Sequence, residues 1–136
     1  MKIILQLFIF FLFISSTFAN DFKYIKKISL KKDETKKILV KYDNKKKLFT
    51  FRWTLYKNGG LVIHRYYDKI VAQNILYLRY QNQSFRFDLK PKGADYYNVP
   101  YILIQFKKFD FKKREALFEL LLSDDKNQIE LEYLKK

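Results

Sequence analysis

The chain contains no cysteine. Disulfides, cysteine-based zinc sites, thiol nucleophiles, haem attachment through cysteine pairs and a lipid-modified cysteine after a leader are all excluded. Proline (2) and glycine (3) are scarce, and no Pro/Gly/Ser-rich linker divides the 136 residues. One domain is therefore expected over residues 20–136. Histidine occurs once, at His64. An ordinary metal site gathers several His, Cys or carboxylate ligands, and no serine stands on a recognisable nucleophile elbow. The expectation is no cofactor, no metal and no enzymatic activity. A small hydrolase built around His64 and carboxylates is the least favoured reading.

A continuous apolar run of membrane-spanning length is also missing. Residues 3–14 are apolar apart from Gln6, and Lys2 precedes them. Ser15, Ser16, Thr17, Phe18 and Ala19 follow. A short positive end, about a dozen apolar residues and a small-x-small exit form the pattern of a secretory signal peptide. Residues 1–19 are read as that leader, with cleavage before Asn20. An uncleaved inner-membrane anchor is the alternative, but a spanning helix needs about 20 apolar residues. Export without disulfides points to a bacterial envelope, most simply the periplasm.

What is abundant is positive charge and aromatic surface. Lys and Arg number 28 against 14 Asp and Glu, for a formal net charge of +14, and aromatics make up 19% of the chain. Such a charge raises nucleic acid and anionic membrane as partners. Export argues against nucleic acid. The lysine, Ile, Phe, Tyr and Asn bias is also what an A/T-rich coding sequence tends to impose.

The periodicity is that of strands. Residues 24–30 and 38–42 alternate, separated by a charged turn at 31–37. Residues 43–47 form a second charged turn. Residues 48–56 carry the clearest pattern: Phe49, Phe51, Trp53 and Leu55 on one face, Thr50, Arg52, Thr54 and Tyr56 on the other. Asn58-Gly59-Gly60 supplies a tight hairpin turn leading to residues 61–67. A second hairpin is expected between 75–80 and 85–90. Residues 91–100 are irregular, and 101–106 resume as a strand. Residues 110–122 admit a short helix capped by Asp110. The alternation of Phe118, Leu120 and Leu122 favours a strand instead, with 112–115 as its preceding turn and a final hairpin to Ile129, Leu131 and Tyr133. The fold class expected is an all-β, antiparallel sandwich, or a partly open barrel, of eight to nine short strands.

With a two-residue turn, at Asn58-Gly59 or Gly59-Gly60, parity sets His64 on the Trp53 face, buried and hydrogen-bonded; a three-residue loop would move it to the other face. The expected final hairpin sets Glu119 opposite Glu132, with Glu130 on the same face. Such a group of like charges reads as a solvated outer face or a cation or docking site.

The five arginines carry the most information among the polar residues, because a lysine-rich background does not dictate their places. Arg79 and Arg86 fall opposite each other in the expected second hairpin, and Arg52 and Arg65 come together in the first. Guanidinium groups suit forked recognition of carboxylate or phosphate, and Arg and Tyr dominate interfaces. Arg52, Arg65, Arg79 and Arg86, with Tyr67 and Tyr77, are the candidate partner- or anion-binding residues. Tyr96 and Tyr97 are added as a binding loop. The expected function is a structural or adaptor subunit that binds another envelope protein through this face and an exposed strand edge. The alternative is a module for anionic envelope lipid or glycan.

Mass spectrometry of the native protein is expected to find a chain beginning at Asn20. A chain still beginning at Met1 and located among ribosomes or chromosomes would reverse the compartment reading and restore a polynucleotide interpretation of the charge.

Overall fold

The computed structural model describes residues 22–91, 93 and 98–135. The leader-like segment, its cleavage point, and the Tyr96 and Tyr97 candidates lie outside the described residues. No helix occurs among those described. Nine strands do: β1 (Tyr24–Lys31), β2 (Lys36–Tyr42), β3 (Lys45–Lys57), β4 (Gly60–Tyr67), β5 (Ile70–Tyr77), β6 (Ser84–Asp88), β7 (Tyr101–Asp110), β8 (Glu115–Ser123) and β9 (Glu130–Tyr133). They form two antiparallel sheets, ordered β1-β8-β7-β6 and β5-β4-β3-β2-β9. The chain is a β-sandwich, as the alternation implied.

The meander from β2 to β5 is built on three two-residue turns. Asp43-Asn44, Asn58-Gly59 and Asp68-Lys69 all have positive φ at both central residues. That is what type I′ turns require, and their twist matches that of the flanking strands. The first two turns are visible in the sequence, although β3 begins earlier than expected, at Lys45. The third is not, because Asp-Lys is a poor turn signature. Missing it gave the wrong second hairpin. Residues 70–77 pair with β4, and residues 84–88 cross to the other sheet and pair with β7. The expected final hairpin fails in the same way. β8 pairs with β1 and β7, while β9 pairs with β2 across the sandwich. Glu119 therefore faces Lys27 and Gln105 in the ladder, not Glu132.

The inner faces meet through aromatic rings. Phe49 packs on Phe87 at 4.4 Å between centroids, and Phe51 meets Phe118 edge-on at 5.4 Å. All four are buried, and each such side chain contributes about 1.5–3 kcal/mol relative to exposure. Two buried hydrogen bonds add direction. Trp53 Nε1 donates to the Leu30 carbonyl at 2.7 Å, tying β3 to β1 of the other sheet. Tyr67 Oη donates to the Leu89 carbonyl, also at 2.7 Å. Burial holds the Tyr67 phenol well above the usual tyrosine range.

Two β-bulges adjust the alternation. In β3 the register with β4 shifts between Trp53 and Leu55, and in β7 the register with β8 shifts between Phe106 and Lys108. A bulge places two residues against one and so reverses the faces beyond it. Past the first bulge, Leu55 turns outward and Tyr56 inward. Past the second, Phe109 turns inward, and it stacks on Tyr56 at 4.2 Å. The sequence parity for Leu55 and Tyr56 is thereby overturned, and β7 runs on to Asp110 instead of ending at Phe106.

The chain leaves β8 for β9 at Asp124, which is buried. Its carboxylate accepts the backbone N–H groups of Gln128 at 3.0 Å and Ile129 at 2.8 Å, and Lys23 lies 3.6 Å away. Hydrogen bonds to a charged acceptor are stronger than neutral ones, and removing the acceptor strands buried donors. Asp124→Ala is expected to lower stability by about 2–3 kcal/mol, read as an earlier urea midpoint with an unchanged slope.

Candidate binding face

The outer face of the five-stranded sheet divides into two chemically different halves. On the β9–β2 side it is charged. Lys41 lies 2.6 Å from Glu132 and 3.5 Å from Glu130. The hydrogen bond with Lys41 holds the Glu132 carboxyl below its usual range, and the same bond raises Lys41. The three groups answer one another, which accounts for the glutamates that shared a face in the sequence.

On the β3–β4–β5 side the face is different. The registers align three cross-strand rows: Thr50–Tyr66–Val71, Arg52–His64–Gln73 and Leu55–Val62–Ile75. Two rows rich in apolar groups thus flank a polar one. Val71 is 75% exposed, and Leu55, Tyr66 and Ile75 are also exposed. A further row ends in Tyr77, whose ring lies over Gly60. A Cβ at Gly60 would meet Tyr77 Cε1 at 2.9 Å, so only glycine allows the ring to rest there.

The bulge at Thr54 is what brings His64 here. Without it, His64 would face Trp53 and the core. With it, His64 pairs with Arg52, and Ile63 takes the place opposite Trp53. The expectation of a buried His64 is therefore corrected: it is half-buried on the outer face, between Arg52 and Gln73 in the ladder.

The candidate arginines are not brought together. Arg52 is exposed at the centre of the face just described. Arg65 is displaced from Arg52 by the same bulge and sits opposite Phe51 on the inner side. There its Nε donates to Asn74 Oδ1 at 2.9 Å, and its guanidinium lies over the rings of Phe85 and Phe87. Desolvation lowers the Arg65 pKa without removing its charge at neutral pH. Arg79 stands in the turn after β5 with φ 62°. Arg86 lies on the outer face of the other sheet, 3.6 Å over the Tyr101 ring and 3.4 Å from Asp88. The expected Arg79–Arg86 pairing is overturned, because β6 left β5 for β7. Tyr67 faces the core, and Tyr77 belongs to the β3–β4–β5 face.

Tyr66, Val71, Ile75, Leu55 and Val62 complete this face and were not singled out from the sequence. For Val71 and Ile75 a signal existed: no charged residue lies between Lys69 and Arg79, in a chain that is 31% charged. Among the described residues no group of three or more His, Cys, Asp or Glu side chains could hold a metal ion. Comparison of the chain with protein-family models, with curated proteins and with solved structures gave no match.

The location of Arg65 separates it experimentally from Arg52. Replacing a desolvated charge by an apolar side chain of similar length is often neutral or stabilising. Arg65→Met is expected to leave the urea midpoint unchanged or raised. A clear fall would mean that the Asn74 contact matters more than the desolvation.

Proposed function

We propose that this protein is an exported, non-enzymatic β-sandwich that serves as a structural or adaptor subunit by binding another envelope protein through the outer face of β3, β4 and β5. The carrying observation is the pair of apolar rows around Arg52, with Leu55, Tyr66, Val71 and Ile75 exposed on one face. The Leu55–Val62–Ile75 row runs apolar across three strands, and grouped exposed apolar residues commonly mark interaction sites. Arginine and tyrosine beside apolar groups are also the usual composition of an interface centre. The leader-like residues 1–19 support the envelope as the compartment.

A second reading, a module for anionic lipid or glycan, is favoured by one observation. Between β1 and the β2–β9 side lies a cleft of about 790 Å³ lined by Lys26, Lys27, Lys36, Lys37 and Lys135, with Glu34 and Tyr133 also in its wall. Lys26 Nζ lies 3.8 Å over the Tyr133 ring. Lysine contacts to anions are screened by salt, so this reading requires binding that weakens steeply with ionic strength. The hydrolase reading needs a carboxylate beside His64, whose cross-strand neighbours are Arg52 and Gln73.

Affinity capture of the tagged protein from its own envelope, with crosslinking, tests the first reading. Arg52→Glu combined with Leu55→Lys is expected to abolish recovery of the partner with the circular dichroism spectrum unchanged. Arg79→Glu with Arg86→Glu, at sites apart from this face, is expected to leave recovery intact. The reverse pattern would move the interface elsewhere. Recovery of acidic lipid or glycan, lost at high salt, would favour the second reading.

A further inference from the structure

Among the described residues the sandwich has four sheet edges, and three are guarded. β1 carries Lys26, Lys27 and Lys31. β6 is 5 residues long and carries Arg86 and Asp88. β9 is 4 residues long and carries Glu130 and Glu132. Charge and shortness are the usual devices that keep an edge from pairing. β5 has neither device. It runs for 8 residues, IVAQNILY, with no charge and no proline, and it ends the five-stranded sheet. Ile70 is 66% exposed beside Val71.

The backbone shows which residues face off this edge. The Tyr77 N–H donates to the Asn82 carbonyl at 3.0 Å, away from β4. Strand alternation then directs the N–H and C=O groups of Ile75, Gln73 and Val71 the same way. Tyr77 is already occupied, so the open stretch is bounded at that end, and these three residues are centred on Gln73.

We propose that β5 pairs antiparallel with β5 of a second copy of this chain, about a two-fold axis through Gln73. In that register Val71 meets the second copy's Ile75, Gln73 meets Gln73, and Ile75 meets Val71. Each pair joins two residues whose amides point off the edge, so each exchanges both backbone hydrogen bonds. On the inner side Ala72 meets Asn74, while Ile70 falls at the level of Leu76, which its own core already buries. Val71 and Ile75, two of the exposed apolar residues of β5, gain each other as apolar neighbours. Lys69 falls beyond the open stretch, which the Tyr77–Asn82 hydrogen bond closes, and meets no other cation. A parallel pairing in register would set Lys69 on Lys69 and Arg79 on Arg79, which is unfavourable. A register centred on Asn74 would place Val71 against Tyr77, whose N–H is already committed to Asn82. Self-pairing in the first register satisfies hydrogen bonds, apolar contacts and charge at once.

The consequence for the outer face is continuity. The row Leu55–Val62–Ile75 runs on into Val71–Tyr66–Thr50 of the second copy, and the Arg52–His64–Gln73 rows join end to end. The five-stranded sheets become one sheet with a doubled binding face. The inference concerns the edge of that face and holds whichever partner the face takes.

The absence of cysteine makes the register testable. The purified protein is expected to have twice the chain mass by light scattering at about 100 µM, and to dissociate on dilution. Gln73→Pro removes an outward N–H at an edge position where proline is compatible with the strand. It is expected to give a monomer with unchanged circular dichroism. Val71→Lys, a substitution at an exposed site, is expected to weaken dimerisation roughly tenfold or more. Hydrogen-bonded cross-strand pairs have Cα atoms about 5.5 Å apart, within disulfide reach. Gln73→Cys alone should therefore oxidise to a covalent dimer. Val71→Cys mixed with Ile75→Cys should form the mixed dimer in preference to either self-dimer, and Ser29→Cys on β1 should form none. A monomer at about 100 µM, a dimer indifferent to Val71→Lys, or equal crosslinking of Val71→Cys with itself would each overturn the proposal. Because Arg52→Glu leaves the edge intact, loss of partner capture with a persisting dimer would separate the two readings.

Discussion

One unpaired residue in β3 governs which side chains this protein offers to solvent. The bulge at Thr54 lets Phe49, Phe51 and Trp53 point into the core while Leu55, two positions further, points out. It also carries His64 outward and Arg65 inward. A matching bulge in β7 turns Phe109 to meet Tyr56. The two irregularities act together. Without the second, Lys108 would follow Phe106 on the inner face, where burial of an unpaired ammonium is costly. The FKKFDF segment accommodates two lysines by bulging and keeps the rings at Phe106 and Phe109 inside.

The inner and outer faces are stabilised differently. Inside, stacked and edge-on rings supply area, and the Trp53–Leu30 and Tyr67–Leu89 hydrogen bonds supply alignment between elements. Outside, charge is sorted by region. The β9–β2 half of the larger sheet pairs Lys41 with two glutamates. The cleft beside β1 gathers lysines. The β3–β4–β5 half is left apolar around Arg52 and His64. Exposed ion pairs contribute little to stability, so this sorting is better understood as a statement about what each surface will and will not approach. A positively charged chain repels copies of itself over its lysine-rich surfaces, and the charge-free strand is where that repulsion is weakest.

Much of the fold was legible in the chain, and the failures have a common cause. Alternation located most strands, and Asn58-Gly59 announced its own turn. Alternation says nothing about which strand lies beside which, and the two mistaken hairpins joined neighbours in sequence that belong to opposite sheets. Asp68-Lys69 adopts positive φ at both residues without the glycine or asparagine that would advertise it. The arginine pairings inherited these errors and, for Arg52 and Arg65, the hidden bulge. Arg52 and Tyr77 survive as members of one face, while Tyr67 proved to be a core residue. Absence of charge between Lys69 and Arg79 was the clue to Val71 and Ile75, and it is easier to overlook than a cluster of charged groups.

The pairing of the first strands with the last bears on when the molecule can assemble. Tyr24 of β1 lies across from Leu122 of β8, and Leu39 of β2 across from Glu132 of β9. Contacts between such distant parts of a chain form slowly, since a long loop must close before they contribute. Neither layer is finished until β8 has joined the one and β9 the other. The β2–β5 meander closes through sequence neighbours alone, so it is the part of the molecule able to form ahead of the long-range pairings.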